Sequence, residues 1–171
     1  MGSSELKFIL VRTPDQITSL ANLAEEIWTE YFPAITGIDK AKYLLNQMLS
    51  IDALLHCIAD EGYEYYFVEL NKKRIGFLGI VPLKDENKLQ FSKIYLIKEY
   101  RGKGFGKQML AYGYKRAFEL GFNSVILNVN CENKPAIAFY EHMDLRIVDT
   151  VEIDVGNGYS VVDYIFEKDI T

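Results

Sequence analysis

Tyr100-Arg101-Gly102-Lys103-Gly104-Phe105-Gly106-Lys107 is the stretch that decides the fold of this chain. It follows a run of β-forming residues (89–97) and precedes an amphipathic segment that ends at Gly121, so it predicts a corner between a strand and a helix. Glycines let the backbone approach a ligand closely, and the free N–H groups at a helix start attract anions. The stretch therefore predicts a binding corner for a phosphate group.

Two common phosphate-binding motifs do not fit this corner. A P-loop that ends at Gly106-Lys107 requires glycine at position 101 and Ser or Thr at position 108, where the chain has Arg101 and Gln108. A dinucleotide-binding motif that starts at Gly102 requires glycine at position 107, where the chain has lysine. What remains is the pattern Arg-x-x-Gly-x-Gly, with glycine at every second position from 102 to 106.

Patterns on either side of the corner predict a sheet that combines both strand directions. Thr13, Pro14 and Gln16 are a helix-start signal ahead of an apolar stripe at helical period. The predicted helices are residues 14–31, 39–49, 50–58, 106–120 and 133–143, and the predicted strands are residues 6–11, 64–70, 75–81, 89–97, 125–129, 148–155 and 159–166. The strand, helix and strand around the corner predict a parallel pair beside antiparallel neighbours.

Length and composition narrow the class of protein. The 171 residues, of which 49% are apolar, fit one domain that spans residues 1–171. The net charge of −5 disfavours a nucleic-acid partner. No apolar run approaches the roughly 20 residues that a membrane helix needs, so no membrane partner is expected. Two cysteines, Cys57 and Cys131, are too few for a disulfide framework and are typical of a cytoplasmic protein.

The charge is unevenly distributed along the chain. Residues 88–116 contain eight basic residues and one acidic residue, a net charge of +7, which leaves −12 for the remainder. This basic segment is centred on the glycine corner. Such a local field suits a small polyphosphate ligand and does not suggest a nucleic acid, because the remainder of the chain is strongly acidic.

A second motif follows the corner, in the stretch Asn133-Lys134-Pro135-Ala136-Ile137-Ala138-Phe139-Tyr140. Together with the strand Ile94-Tyr95-Leu96, the two motifs resemble the GNAT superfamily of N-acetyltransferases over residues 75–168. The resemblance implies an α/β (α+β) fold, in which a central mixed, mostly antiparallel, twisted sheet of about seven strands has helices on both faces. It also implies an N-acetyltransferase with acetyl-CoA as cosubstrate.

The resemblance implies roles for individual residues. The implied cofactor-binding residues are Ile94, Tyr95, Leu96, Arg101, Gly102, Lys103, Gly104, Phe105, Gly106, Lys107 and Asn133. Residues 101–107 would hold the CoA pyrophosphate, while the backbone of Ile94 and Leu96 would pair with the pantetheine arm and an N–H near Leu96 would stabilise an oxyanion. Asn133 would bond the pantetheine, cap its own helix, or do both. Tyr140 would be the catalytic acid for the departing thiolate, or simply an aromatic residue packed on the helix.

One position departs from the family pattern. Four residues after the tyrosine the family usually has Gly-Phe, whereas this chain has Asp144-Leu145. Aspartate tolerates left-handed backbone conformations better than most residues. We therefore expect the turn after the second motif to survive the change.

The acceptor and the general base are left open. The candidate bases are Glu30, Glu69, Glu99, His142 and Asp163. In the family the acceptor enters opposite CoA, near the first helices and the closing hairpin. Here residues 15–64 contain nine acids and residues 141–169 contain eight, with two bases in each segment. This balance favours a cationic acceptor, such as a polyamine, another small amine or a lysine of a peptide, or else is an ordinary solvated acidic surface. Residues 27–33 are also similar to bacterial diamine and spermidine acetyltransferases, which points to Glu30, Tyr31 and Phe32 as acceptor-site residues.

The alternative function is a non-catalytic CoA-binding or peptide-binding module on the same fold. Such a module would bind CoA without transferring an acetyl group to any amine. No cluster of His, Cys and carboxylate residues has the spacing of metal ligands, so no metal is expected. The oligomeric state stays open, a homodimer included.

Overall fold

A seven-stranded sheet organises the computed structural model, which describes residues 5–171. The first four residues of the predicted domain lie outside that range. The strands are β1 (Lys7–Leu10), β2 (Glu64–Leu70), β3 (Lys73–Leu83), β4 (Lys88–Leu96), β5 (Ser124–Asn130), β6 (Arg146–Gly156) and β7 (Tyr159–Asp169). They are ordered β1-β2-β3-β4-β5-β7-β6, and every neighbouring pair is antiparallel except β4 with β5. The predicted mixed, mostly antiparallel sheet is confirmed.

Helices cover both faces of this sheet. They are α1 (Pro14–Tyr31), α2 (Pro33–Thr36), α3 (Ile38–Leu49), α4 (Ile51–Asp60), α5 (Phe105–Glu119) and α6 (Lys134–His142). Successive strand residues point to opposite faces. Phe67 therefore packs in a core cluster with residues of α1, α3 and α4, whereas the adjacent Val68 belongs to a second cluster with residues of α5 and α6. The expected helices on both faces are confirmed.

Local signals determine where α1 begins. The Thr13 hydroxyl accepts a hydrogen bond from the Gln16 N–H (3.1 Å), and the Gln16 side chain accepts one from the Thr13 N–H (3.0 Å). This reciprocal capping box satisfies two N–H groups that the helix itself leaves unbonded. Pro14 occupies the first helical turn, where its missing N–H costs nothing.

The sequence prediction made several strands too short and missed α2. β7 was expected to end at residue 166 but continues to Asp169, because Lys168 and Asp169 pair with Val125 and Ser124 of β5. The partner strand satisfies the backbone hydrogen bonds of these polar residues, and side-chain patterns do not reveal such pairing. The single-turn α2 lies where Pro33 and Gly37 predicted only a break.

The parallel pair in the middle of the sheet is short. Only residues 88–90 of β4 pair with residues 124–126 of β5, and beyond them the two strands separate. β4 also contains a bulge, since Phe91 pairs with Ile80 and Lys93 with Gly79, which leaves Ser92 without a partner on β3. The separation opens the sheet at its centre, where backbone groups of two strands face each other across a gap.

No helix among residues 5–171 is both long and apolar enough to cross a bilayer. Cys57 and Cys131 are both free thiols. Each is partly buried.

Candidate active site

A cavity of about 1080 Å³ occupies the opening between β4 and β5. It extends from the glycine corner, past the separated strands, to α1, α3 and the β6–β7 hairpin. Its lining includes residues from all of these elements, among them Trp28, Tyr31, Phe32, Lys93, Tyr95, Gly102, Gly104, Gly106, Asn133, Tyr140, Val161 and Asp163. A cleft of this size, mostly apolar with a few polar groups, is typical of a small-molecule site.

The glycine corner opens onto one end of this cavity. Gly102 and Gly104 have φ angles of 72° and 87°, and no atom lies within 4 Å of the place where a Cβ of either would be. No side chain caps α5, so the N–H groups of residues 105–107 at its start are left without a partner inside the helix. The Phe105 side chain is buried in the core, so only its backbone reaches the corner, while Lys103 and Lys107 are exposed beside it.

The two strand residues predicted to pair with pantetheine direct their backbone into the opening. The Ile97 N–H donates to the Ile75 carbonyl on the β3 side (2.8 Å). Because alternate residues of a strand direct their N–H and C=O groups to opposite sides, those of Ile94 and Leu96 point toward β5. Tyr95 differs from the prediction, since its backbone faces β3 and its ring packs against Trp28 and Phe32.

Arg101 does not direct its side chain toward the corner. Its Nε donates to the Leu96 carbonyl (3.1 Å), and its two terminal nitrogens contact the carboxylate oxygens of Glu30 at 3.2 and 2.8 Å. The guanidinium also lies over the Tyr31 ring, 4.7 Å from the centroid. This side chain therefore ties the end of β4 to α1, and only the Arg101 backbone remains available to a phosphate.

The second motif brings Asn133 and Tyr140 to the cavity. Asn133 is buried and caps α6 by accepting a hydrogen bond from the Ala136 N–H (3.4 Å), and the same oxygen accepts one from the Tyr31 hydroxyl. The Tyr140 side chain is 8% exposed, and its hydroxyl has no hydrogen-bond partner among the described residues. Burial raises the pKa of this phenol, and the nearby Tyr31 and Tyr114 raise it further.

The turn after α6 survives the departure from the family pattern. Asp144 has a φ angle of 64°, the left-handed conformation that glycine usually adopts there. The Leu145 N–H then donates to the Tyr140 carbonyl (3.0 Å), and the Leu145 side chain is buried. The aspartate thus keeps the geometry that anchors the Tyr140 end of α6.

Of the five candidate bases, Asp163 and His142 line the cavity and the others do not. Glu30 is bound to Arg101, Glu69 lies 4.0 Å from an arginine of β3, and Glu99 lines a separate surface depression. Burial raises the pKa of the Asp163 carboxyl, although a hydrogen bond from Asn128 and the charges of two lysines lower it. His142 is exposed to solvent.

The family model described as the Acetyltransferase (GNAT) family matches residues 20–144 of the chain. The chain belongs to this acetyltransferase family. The Escherichia coli (strain K12) protein "Uncharacterized N-acetyltransferase YjgM" is 30% identical over 133 residues, which are 77% of this chain and 77% of that protein. The family model and the N-acetyltransferase relatives show that the chain is an acyltransferase.

Solved structures share the fold of this acetyltransferase. The PaiA N-acetyltransferase from Thermoplasma acidophilum, in complex with coenzyme A, matches with a TM-score of 0.76 at 20% identity, over 96% of this chain and 99% of that one. The spermidine/spermine N-acetyltransferase SpeG from Vibrio cholerae matches with a TM-score of 0.66 at 22% identity, over 98% of this chain and 94% of that one. At these identities the likeness is one of fold.

Sequence reasoning missed Lys93 of the acetyltransferase. This side chain lines the cavity and is 5% exposed, and its ammonium donates to the hydroxyl (3.0 Å) and carbonyl (3.3 Å) of Ser92. Burial lowers its pKa to about 8. Alternation with the buried Leu89 and Phe91 predicts burial of Lys93 on their face of the sheet, but the bulge at Ser92 turns this side chain to the opposite face, beside Tyr65.

The acidic walls expected of the acceptor cleft are not found along the cavity. Among the acids of residues 15–64 and 141–169, only Asp163 lines it, together with the basic Lys93 and Arg101. The other acids face solvent or pair with bases, as Glu64 does with Arg116 (2.9 Å). Residues 5–171 bring together no group of three or more His, Cys, Asp and Glu side chains that could hold a metal ion.

Proposed function

We propose that this acetyltransferase transfers the acetyl group of acetyl-CoA to a small amine by direct attack in a ternary complex. One observation carries the proposal. The uncapped start of α5, the unpaired backbone of Ile94 and the unpaired N–H of Leu96 border the same cavity, which lies where β4 separates from β5. An anion-binding helix start and a strand edge are what a pyrophosphate followed by an amide-containing arm requires.

The residues present fit the cofactor. The N–H groups of residues 102–107 would hold the pyrophosphate, and the exposed side chains of Lys103 and Lys107 would add positive charge beside it. The pantetheine amides would pair with the backbone of Ile94, because the Leu96 carbonyl is already bonded to Arg101 and the Leu96 N–H is needed at the reacting carbonyl. Asn133 would contribute its amide N–H groups, since its oxygen caps α6.

In this proposal most of the rate enhancement comes from holding the two substrates next to each other, because a reaction between bound groups avoids the entropy cost of a bimolecular encounter. The Leu96 N–H, directed into the opening, would stabilise the oxygen that gains negative charge during attack. As the C–N bond forms and the C–S bond breaks, Asp163 would accept the proton that the amine loses. Its partly buried carboxyl suits this task because a raised pKa makes a stronger base.

Tyr140 would assist departure of the CoA sulfur. Burial raises its pKa, so the phenol is protonated when the substrates meet. A phenol is a weaker acid than a thiol, and complete transfer of its proton to a thiolate is uphill by about 2 kcal/mol for unperturbed groups. The hydroxyl therefore acts as a hydrogen-bond donor to the growing negative charge and keeps its proton, and the released thiolate takes up a proton from water.

A matched pair of variants tests the cofactor assignment. Gly102→Glu places a negative charge at the corner, in open space, while Gly158→Glu makes the same change in the β6–β7 turn at a similar φ and with similar space. Both pay similar backbone strain of about 1–2 kcal/mol. We expect calorimetry to show weaker CoA binding only for Gly102→Glu, and equal CoA affinity in the two variants would contradict the assignment.

Catalysis is tested with an acetyl-CoA thiol-release assay over amines of several classes. Saturation with CoA at 100 times its dissociation constant should also stabilise the fold by about 2.7 kcal/mol. The proposal expects release that depends on an amine. CoA binding without release for any amine in the panel would favour the non-catalytic module instead.

A further inference from the structure

Lys93 carries a buried positive charge that forms no ion pair with a carboxylate in the described part of the chain. Within residues 5–171 no acidic group lies within 4.0 Å of its ammonium, and Ser92 provides both of its hydrogen bonds. An ammonium has three donors, so one remains for another partner. Burying an unpaired charge is costly, and an anion that binds beside it recovers part of that cost.

The position of Lys93 places this charge on the acceptor side of the cavity. It pairs with Gly79 of β3, and Gly79 in turn pairs with Tyr65, whose ring belongs to the core cluster beneath α1, α3 and α4. The glycine corner begins α5, whose buried residues belong to the other core cluster. Lys93 is therefore poorly placed for the CoA phosphates and well placed for the second substrate.

Asp163 and a set of apolar side chains complete this half of the cavity. Asp163 lines it from β7 without forming an ion pair with Lys93, so the two opposite charges are separated by more than 4.0 Å. Space between them suits a ligand that itself has both charges. The surrounding apolar lining residues are Trp28, Phe32, Leu44, Met48, Tyr95 and Val161.

We propose that the acceptor is a zwitterionic, amino-acid-like amine with an apolar side chain, whose carboxylate binds the Lys93 ammonium while its amine faces Asp163. This inference rests on the proposed acetyl transfer and specifies its acceptor. A polyamine would bring a second cation next to Lys93 and leave the ammonium without a counter-ion. An amino acid instead pairs the buried Lys93 ammonium and the partly buried Asp163 carboxylate at once.

Paired ligands test the inference without relying on turnover. N-acetyl-leucine, N-acetyl-methionine and N-acetyl-phenylalanine are titrated into the CoA-saturated enzyme beside their carboxamides, which lack only the negative charge. We expect at least one acid to bind about 10–100-fold more tightly than its amide, the range for a hydrogen bond to a charged group. Equal affinity within all three pairs overturns the inference.

Two lysine variants assign the preference to a residue. Lys93→Met removes the buried ammonium at similar length, and Lys42→Met removes an exposed one from α3. Lys93→Met should abolish the preference for the acid and leave CoA affinity unchanged, whereas Lys42→Met should keep both. A preference that persists in Lys93→Met overturns the assignment. If the wild-type enzyme does not bind CoA at all, the proposed function itself is contradicted.

The pH dependence of acid binding gives a further readout. Above about pH 8 Lys93 loses its proton, so affinity for the N-acetyl acids should fall in the wild type and stay flat in Lys93→Met. Around it lie Cys57 of α4, Tyr63 and Asp163, with Glu61 near the first two. Burial raises the pKa values of the thiol and the phenol, so both remain neutral while Lys93 loses its proton. A Lys93→Met profile that matches the wild type contradicts the inference.

Discussion

Gly113 determines how closely α5 lies against β4. A Cβ at this position would be 2.4 Å from Cζ and 2.6 Å from Cε1 of Phe91, whereas carbon atoms in ordinary contact are about 3.5–4.0 Å apart. Phe91 is 2% exposed and is the first residue of β4 beyond the pairing with β5. Its ring cannot turn outward, so Gly113→Ala forces α5 and β4 apart by roughly an ångström.

Two opposing effects decide the stability of Gly113→Ala. Alanine improves helix propensity by about 1 kcal/mol, and overpacking a filled core costs about 1–3 kcal/mol. We expect a net loss of about 1 kcal/mol, which lowers Tm by about 2–4 °C for a chain of this size. Urea unfolding measures the free energy directly, and an unchanged slope shows that the change acts on stability.

The Phe91→Leu background provides the control for this prediction. Leucine lacks the outer ring atoms that would meet the new Cβ, so Gly113→Ala should there stabilise the fold, by up to about 1 kcal/mol. The double-mutant cycle then gives a favourable coupling between the two changes. If Gly113→Ala stabilises the wild type, or has the same effect in both backgrounds, the close approach of α5 to β4 is not what requires glycine.

Three further predictions concern single side chains. Tyr140→Phe should lower turnover by about 10²-fold at unchanged CoA affinity. Stopped-flow thiol release measures the turnover, and a variant as fast as the wild type would show that the hydroxyl takes no part in the reaction. Glu30→Gln breaks a partly exposed ion pair with Arg101, so the free energy of unfolding should fall by less than about 1 kcal/mol. The loss should be smaller still in about 1 M salt, because salt screens exposed charges. A larger loss that does not depend on salt would mean that the pair is effectively buried. The pKa of Glu64 lies below its usual 4.5, because hydrogen bonds from Arg116 and Tyr66 outweigh burial, so its contribution is present above pH 4.5 and is lost as pH falls. Glu64→Gln should therefore be less stable than the wild type at pH 7 and should approach it in acid, while a constant difference across this range would argue against the pairing.

The sequence alone determined the features that depend on neighbouring residues. The capping box of α1 lies within residues 13–16, and the glycine corner needs only a strand, three alternating glycines and a helix. The left-handed Asp144 follows in the same way from the tolerance of aspartate. These interactions span a few residues, so local patterns were sufficient to predict both motifs and the order of helices and strands along the chain.

Only the tertiary structure decided the roles of side chains that contact residues far away in the sequence. Arg101 contacts Glu30, 71 positions away, and so leaves the phosphate corner to backbone groups. Lys93 becomes a buried cation because the bulge at Ser92 and the separation of β4 from β5 direct it into the cavity, where Asp163 arrives from β7. The acidic segments that suggested a cationic acceptor mostly face solvent or pair with bases. Composition counts charges without their positions, and the electrostatics of a cavity depend on which few charges line it.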